Sequence, residues 1–438
     1  MAPQYKLMAP QKQLMALIAL FLLAVGLRLA WILAVDVDPV LGGFHYDMLW
    51  YHLAGGQIAE GHGLTRYDGA PTAVWPPAYP ALLGGIYFLT GGSVLAAQII
   101  NAFLGGLGCL FTCLLGRRLF GDDVGLIAGV LFAAFPGDIF FAPMILSEIL
   151  FETVLTGAAL LFVVWNSRDG GSGLPRWFAF GMLIGAASLI RGIAVAFLIV
   201  PFGVWLLSSH SLRASLLKTC LAGLGLVCVI APWTARNWVE LGHPVLIATS
   251  IGRTLGHAHS ETSGPTVKAL AKRQEFERQF AHLSNPEREI ETMKAWQRMT
   301  LRYMWTHPRE KLRTIPVRFY HLYKHGHEGF LWGRDKLESG GGLHPVFGPS
   351  VDRAIRIGAD VYYFAVIALA IAGLLQTLTA ADRTRLLLPL TVLYFTALHS
   401  VLFPGNPRYH SAAIPFLCIA AAAALATARA RIRGGSSP

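Results

Sequence analysis

Three side chains able to hold or move a proton lie close together near the N-terminus. Asp47, Tyr51 and His52 fall in the stretch YDMLWYH. Tyr51 follows Asp47 by four residues, so on a helix the two side chains lie on the same face. A carboxylate at a helix start is favoured by the helix dipole without any function, and it can equally act as a general base. The spacing alone therefore leaves both interpretations of Asp47 open.

The residues that follow Asp47 favour an ordered loop beside a membrane. We expect the stretch from Asp47 to Glu60 to form an amphipathic helix along the membrane interface. A proline-rich corner, Pro76-Pro77-Ala78-Tyr79-Pro80, then has the rigidity to turn the chain back into the membrane.

The composition indicates an all-α polytopic membrane protein. Of the 438 residues, 54% are hydrophobic and 14% are charged, and the mean hydropathy is +0.51. The net charge of +11 comes mostly from short Lys and Arg clusters between apolar runs, which is typical of cytoplasmic loops and argues against a nucleic-acid partner. Membrane lipids are the expected surroundings.

The apolar runs predict about ten transmembrane helices with both termini in the cytoplasm. They cover residues 14–35, 94–115, 124–141, 149–165, 177–189, 194–207, 216–233, 361–378, 386–402 and 412–426. The chain then divides into a cytoplasmic N-terminus with the first span (1–35), an extracytoplasmic loop with interfacial helices (36–92), a helix bundle (93–233), an extracytoplasmic loop with a small helical element (234–356), and C-terminal spans with a cytoplasmic tail (357–438).

This topology predicts that three polar regions share the non-cytoplasmic face. They are the first extracytoplasmic loop (residues 36–92, called the opening loop), the segment after Trp233 and the hairpin from Phe403 to His410. An active site assembled from separate loops needs such a shared face.

Metal-binding patterns are weak in this sequence. The histidines show no zinc-type spacing, and Asp36 with Asp38, a D-x-D pair at the mouth of the first span, is the one place that favours a divalent ion. No cofactor is required by any pattern.

Four motifs, taken in order, resemble the glycosyltransferase C superfamily, and most closely its bacterial branch of protein-mannosyltransferase-like and aminoarabinose-transferase-like enzymes. They are the opening-loop stretch DMLWYHLA with GHGL and PTAVWPPAYPALL, the P-x-x-x-S-E element ending in Ser147-Glu148, the element APWTARN from Ala231 to Asn237, and Asn406-Pro407-Arg408-Tyr409. The resemblance extends over most of the chain and is weaker outside the opening loop.

The resemblance implies an inverting hexosyl- or pentosyltransferase that takes a sugar from a polyprenyl-phosphate donor. It implies that Asp47 is the catalytic residue, acting on the hydroxyl of a lipid, glycan or protein acceptor. Guanidinium groups bind phosphate well, so Arg408 and then Arg236 are the expected donor-phosphate ligands. Some relatives use a divalent ion, so a metal is allowed.

Several candidates for the substrate pocket could instead have a purely structural role. An arginine at a span end, such as Arg236, can simply anchor at the interface, and Glu148 can pair with an intramembrane arginine such as Arg191. The full set of candidates is Tyr51, His52, Tyr79, Glu148, Arg191, Asn237 and Tyr409.

Two other functions share this hydropathy. A polymerase or ligase of lipid-linked polysaccharide would use the same donor lipid on the same side, whereas a transporter or flippase would tend to show internal repeats. An acid early in the first loop favours the glycosyltransferase. We therefore expect a multi-pass protein of the bacterial inner membrane with its active site on the periplasmic side.

Overall fold

The computed structural model describes residues 10–35, 37–39, 46–167, 173–209, 211–259, 267–333, 335–337 and 343–432. In chain order, the helices of the first half are α1 (Pro10–Val35), α2 (Tyr46–Ala59), α3 (Ala78–Thr90), α4 (Val94–Phe120), α5 (Asp122–Ala133), α6 (Pro136–Phe141), α7 (Glu148–Asn166), α8 (Leu174–Ile190) and α9 (Ile199–Ser209). Those of the second half are α10 (Leu212–Leu241), α11 (Ser250–Ala258), α12 (Val267–Arg278), α13 (Glu287–Thr306), α14 (Pro308–Tyr323), α15 (Glu328–Gly333), α16 (Pro349–Leu378), α17 (Leu387–Ala397) and α18 (Ile414–Ile432).

Short elements complete the described chain. Turns of 3-10 helix cover Gly192–Leu198, Arg383–Leu386 and Pro407–Ala413, and a π-helical turn covers Leu398–Leu402. Two three-residue strands, β1 (Asp335–Leu337) and β2 (Leu343–Pro345), pair antiparallel with Lys336 opposite His344. The prediction of an all-α polytopic membrane protein is confirmed.

Within the described residues, seven helical segments are long and apolar enough to cross a membrane. Five are α1, α4, α7, α10 and α16, and two combine helical turns over Arg383–Leu402 and Pro407–Ile432. The two short spans predicted at 177–189 and 194–207 correspond to shorter apolar helices, Leu174–Ile190 and Gly192–Ser208.

One predicted span is not a single helix. Residues 124–141 fall into α5 and α6, which are separated at Ala134 and Phe135 because Pro136 opens a new helix. With 12 residues, α5 is roughly 18 Å long and so shorter than the hydrocarbon layer.

The core of the bundle forms around α18. Its residues from Ile414 to Ala424 are all buried, and the alanine run lets neighbouring helices approach closely. Helix α16 packs closely against α18 at Gly373, where a side-chain Cβ would lie only 1.9 Å from the carbonyl oxygen of Ala420. Small residues rather than large ones therefore set the spacing at the centre of the bundle.

The polar region after Trp233 is largely helical. Helix α10 continues past the predicted boundary to Leu241, and α16 begins at Pro349, earlier than expected. Between them lie α11 to α15. Trp296 and Met293 of α13 are buried, and α13 packs against α11.

The opening loop contains the helix expected there, but that helix is not amphipathic. Helix α2 packs against α3 and buries Met48, Tyr51 and Ala54. Its polar and apolar residues do not separate onto opposite faces, since Leu53 is 40% exposed while small residues lie on both sides. Its position is therefore set by packing against α3.

Candidate active site

A cavity of about 730 Å³ lies where the three polar regions meet. The opening loop contributes Asp47, Tyr51 and Trp75, and the 3-10 turn after α17 contributes Arg408. Its further lining residues include Ser147, Arg191, Ile193, Ser250, Arg253, His257, Leu398, His399, Phe403 and Tyr409. Much of this wall is apolar. Its charged side chains are Asp47, Arg191 and Arg408 in one group, and Arg253, Arg273 and Glu277 of α11 and α12.

Asp47 lies in the first turn of α2 and reaches the cavity. Its side chain is 29% exposed, and its Oδ2 lies 2.7 Å from Nη1 of Arg408. The amino end of the helix favours a carboxylate at this position. Asp47 is therefore an accessible carboxylate held in a fixed direction by a guanidinium.

Arg408 is placed by the turn that precedes α18. Pro407 opens this turn, and Oδ1 of Asn406 accepts a hydrogen bond from the Arg408 backbone N–H at 2.9 Å. The Arg408 side chain is 7% exposed, and its Nε donates to Oε1 of Glu148. Its guanidinium thus bridges Asp47 and Glu148.

Glu148 lies behind the cavity wall at the start of α7 and holds a second arginine. It is 2% exposed, and its Oε1 lies 2.7 Å from Nη1 of Arg191. Arg191 ends α8 in an extended conformation, which turns its side chain into the break before the next helical turn. Two carboxylates and two guanidiniums therefore balance in charge, which lowers the cost of burying them.

The two aromatic candidates Tyr51 and Tyr409 line the cavity. Tyr51 donates to Oγ of Ser147 at 3.4 Å, and burial raises the pKa of Tyr51 to about 12, so its hydroxyl stays protonated. The Arg191 guanidinium lies 5.9 Å from the ring centre of Tyr409. His257 stays neutral, because burial and the charges of nearby arginines lower its pKa to about 3.

The cavity does not include His52, Tyr79 or Asn237. Nδ1 of His52 lies 2.9 Å from the hydroxyl of Tyr87, and Tyr79 is fully buried with its ring edge-on to Tyr51. Asn237 donates to the carbonyl of Val245 at 2.8 Å. These three residues therefore lie outside the cavity lining, and their contacts are with other parts of the protein.

Arg236 also lies outside the cavity lining. Its Nη1 donates to the carbonyl of Thr72 and its Nη2 to that of Leu64, both at 2.9 Å. Because its nitrogens hold the backbone of the opening loop, we do not count Arg236 among the phosphate-binding residues proposed below.

Solved structures share this architecture. AglB oligosaccharyltransferase from Archaeoglobus fulgidus, in complex with an inhibitory peptide and a dolichol-phosphate, superposes with a TM-score of 0.57 at 15% identity over 96% of this chain and 51% of its own. ArnT from Cupriavidus metallidurans, bound to undecaprenyl phosphate, superposes with a TM-score of 0.56 at 16% identity over 97% of this chain and 62% of its own. Both are members of the glycosyltransferase C superfamily.

This chain therefore shares the fold of these two solved structures. The fold expected from the motifs is thus confirmed, although the chain spans only half to three fifths of the length of these structures. Searches with protein-family models and against curated proteins returned no match.

In the described part of the chain, no group of three or more His, Cys, Asp or Glu side chains could hold a metal ion. Asp36 lies outside the described residues. Asp38 lies after α1 and is not part of the cavity lining.

Sequence reasoning missed the amides that hold Glu148 in place. The segment from Ala142 to Leu146 is buried and non-helical, so its carbonyls need partners. Gln98 donates to the carbonyl of Pro143 at 2.9 Å, and Asn101 to that of Met144 at 2.8 Å. In the sequence, the available signal for these contacts was the pair of amide side chains, Gln98 and Asn101, within the apolar run of residues 94–115.

A buried charged cluster was missed as well. Arg28 of α1 is fully buried, and its Nε donates to Oδ2 of Asp138 at 2.9 Å. Glu152 of α7 lies within hydrogen-bonding reach of Asp138. An arginine in the middle of the first apolar run was the available signal.

Arg253 is a further cavity residue that the motifs did not indicate. It lies on α11 and lines the cavity, and it makes no hydrogen bond or ion pair with any described residue. Its free guanidinium gives this side of the cavity a positive charge.

Proposed function

We propose that this protein is an inverting glycosyltransferase that moves a sugar from a polyprenyl-phosphate donor to a lipid, glycan or protein acceptor. The observation that carries the proposal is Asp47 itself, a partly exposed carboxylate directed into a 730 Å³ cavity by Arg408 at 2.7 Å. The dolichol-phosphate and undecaprenyl phosphate bound in AglB and ArnT support the choice of donor.

The transfer follows from the groups at the cavity. The acceptor hydroxyl gives its proton to Asp47 as its oxygen attacks the anomeric carbon, and the bond from that carbon to the phosphate oxygen breaks with its electrons going to the phosphate. The negative charge that grows on the leaving phosphate is stabilised by Arg408 and Arg191. Attack from the side opposite the phosphate inverts the configuration.

Glu148 is a positioning residue in this scheme. Its Oε1 contacts both Arg408 and Arg191, so it fixes the two guanidiniums relative to each other before the donor binds. Because the two long side chains are already ordered, substrate binding does not have to supply the free energy of ordering them.

The apolar wall suits the prenyl chain. Leu398 lies in the candidate span Arg383–Leu402, and Ile193 and Val195 lie in the shorter apolar helix Gly192–Ser208. All three line the cavity, where a lipid tail can enter from the bilayer. We propose that this end opens at the periplasmic side of a bacterial inner membrane, as the distribution of Lys and Arg predicts.

The test uses purified wild-type and Asp47→Asn protein in lipid nanodiscs. Each is incubated with radiolabelled polyprenyl-phosphate sugars and a membrane extract as the source of acceptor. We expect wild-type protein to transfer label from at least one such donor and Asp47→Asn to lose at least 99% of that rate. Equal rates would remove Asp47 from catalysis, and transfer from nucleotide sugars alone would overturn the donor.

A further inference from the structure

A second, smaller cavity shares part of its lining with the large one and takes no lining residue from the seven candidate membrane spans. This side chamber has a volume of about 160 Å³ and lies between Arg66 of the opening loop, Glu277 of α12, and Thr292 and Trp296 of α13. Three residues, Ser250, Arg253 and Glu277, line both cavities. The volume equals that of roughly five waters, so it suits a group the size of one sugar ring.

The chamber has surplus positive charge. Arg66, Arg253 and Arg288 face it together with two carboxylates, Glu277 and Glu289. Arg288 donates only to the neutral carbonyls of Leu283 and Ala281, and Arg253 has no partner among the described residues.

Of the two carboxylates, Glu289 is already in use by the protein. It accepts hydrogen bonds from the Thr72 hydroxyl at 2.7 Å, the Ala73 N–H at 3.0 Å and the Thr249 hydroxyl at 2.8 Å. These bonds tie α11 and α13 to the opening loop. Its oxygens are therefore not available to a ligand, and the chamber presents mainly donors.

Two of those donors are buried without a protein partner. Trp296 is 1% exposed, and neither its Nε1 nor Nε of Arg66 has a hydrogen-bond partner among the described residues. The indole is tightly packed. It lies so close to Gly256 that a Cβ there would be 2.2 Å from its Cε3, and its ring centre lies 4.6 Å from that of Phe276. Buried donors of this kind destabilise a protein unless an acceptor oxygen meets them.

We propose that the side chamber binds an anionic sugar residue of the acceptor, carboxylated or phosphorylated, and this rests on the glycosyltransferase function proposed above. The free guanidinium of Arg253 and the N–H groups of Trp296 and Arg66 meet its carboxylate or phosphate oxygens. The hydroxyl to be glycosylated then extends past Arg253 into the large cavity toward Asp47.

The test places a single thiol in the chamber. Thr292→Cys is labelled with an anionic and a cationic methanethiosulfonate of similar size, and the label is measured by mass on the α13 peptide, away from the native cysteines. We expect the anionic reagent to react at least threefold faster. We also expect 10 mM glucuronate or glucose 6-phosphate to slow this reaction at least threefold, whereas 10 mM glucose leaves it unchanged.

Two further variants in the Thr292→Cys background give the test its controls. Arg253→Gln should abolish both the preference for the anionic reagent and the protection. Arg298→Gln, an exposed arginine on the same helix as Trp296 and outside both cavities, should change neither. Protection by glucuronate alone or by glucose 6-phosphate alone identifies a carboxylated or a phosphorylated sugar.

Equal labelling rates for the two reagents, or equal protection by glucose and the anionic sugars, would overturn the proposal. The activity arm separates it from the proposed function. Glucuronate or glucose 6-phosphate should inhibit sugar transfer by wild-type protein at least threefold more strongly than by Arg253→Gln. Wild-type protein that transfers no sugar would overturn the glycosyltransferase function, while the labelling rates still decide what the chamber binds.

Discussion

Two charged clusters meet helix α7 one turn apart, and they differ in access and in charge. The cavity cluster joins Glu148 to Asp47, Arg191 and Arg408 beside the large cavity. The core cluster joins Arg28 and Asp138, whose side chains are 0% and 4% exposed, with Glu152 one turn after Glu148. The same helix thus supports one ionic group beside the large cavity and one that does not line it.

The difference indicates what each cluster does. In the cavity cluster the two charges of each sign balance, and Asp47 remains 29% exposed for a substrate. In the core cluster Arg28 links α1 to α6 and also donates to the carbonyl of Ala24, and none of its members lines the large cavity. We infer that the first cluster serves chemistry and the second holds helices together, and substitutions in each cluster test this.

The largest expected effect is on transfer in Asp47→Asn. The amide still accepts from Arg408 but no longer takes the proton of the acceptor, so the rate should fall by about 10²–10⁴-fold. The unfolding temperature should fall less than in Arg28→Met, because the Asp47 side chain is 29% exposed. Transfer assays and thermal unfolding in nanodiscs measure the two. Glu60→Gln, at the exposed end of the same loop helix, is the control and should match wild type.

The core cluster should show the opposite pattern in Arg28→Met. Loss of the guanidinium leaves buried carboxylates without a counter-charge, which should cost about 3–5 kcal/mol in the free energy of unfolding. Unfolding in detergent measures this, with the exposed Arg118→Met as control. Adding Asp138→Asn should recover part of the loss, and full additivity would show that the two residues do not interact.

The neighbouring pair Glu148→Gln and Glu152→Gln compares the clusters directly. Glu148→Gln releases Arg408 and Arg191, so we expect transfer to fall by about 10–100-fold, mainly in kcat because the guanidiniums stabilise the leaving phosphate. Glu152→Gln should keep transfer within about threefold of wild type, as expected of a residue outside the reaction. Similar losses of kcat in both variants would break the distinction.

The smallest expected effect is that of Arg236→Gln. It removes hydrogen bonds to two carbonyls of the opening loop, so amide hydrogen exchange in residues 60–76 should speed up while the donor KM stays within about threefold of wild type. Arg408→Gln should instead raise the donor KM at least tenfold, about 1.4 kcal/mol or more. A larger donor effect from Arg236→Gln would return Arg236 to the phosphate site.

Several features of the molecule follow from the sequence without tertiary information. Hydropathy gives most of the helices, because each must satisfy its own backbone in the membrane. The candidate residues Asp47, Arg191, Arg408 and Tyr409 do meet at one cavity, and Glu148 lies directly behind it. Asn406 followed by Pro407 favours a turn, which the structure uses to place Arg408.

Other features depend on contacts between distant parts of the chain. The division of residues 124–141 into two helices, the partners of Arg236 and the free state of Arg253 cannot be derived from spacing. Arginines at span ends look alike in a sequence, whereas their roles depend on which groups lie within about 3 Å of the guanidinium.

The sequence by itself thus determined the class of protein, the helical architecture and the identity of the carboxylate beside the cavity, because hydrophobic length and short motifs are local properties. Only the tertiary structure decided which arginines are paired with carboxylates, which hold backbone and which remain free. That decision is made by charge balance and desolvation among residues such as Asp47 and Arg408, which lie far apart in the chain.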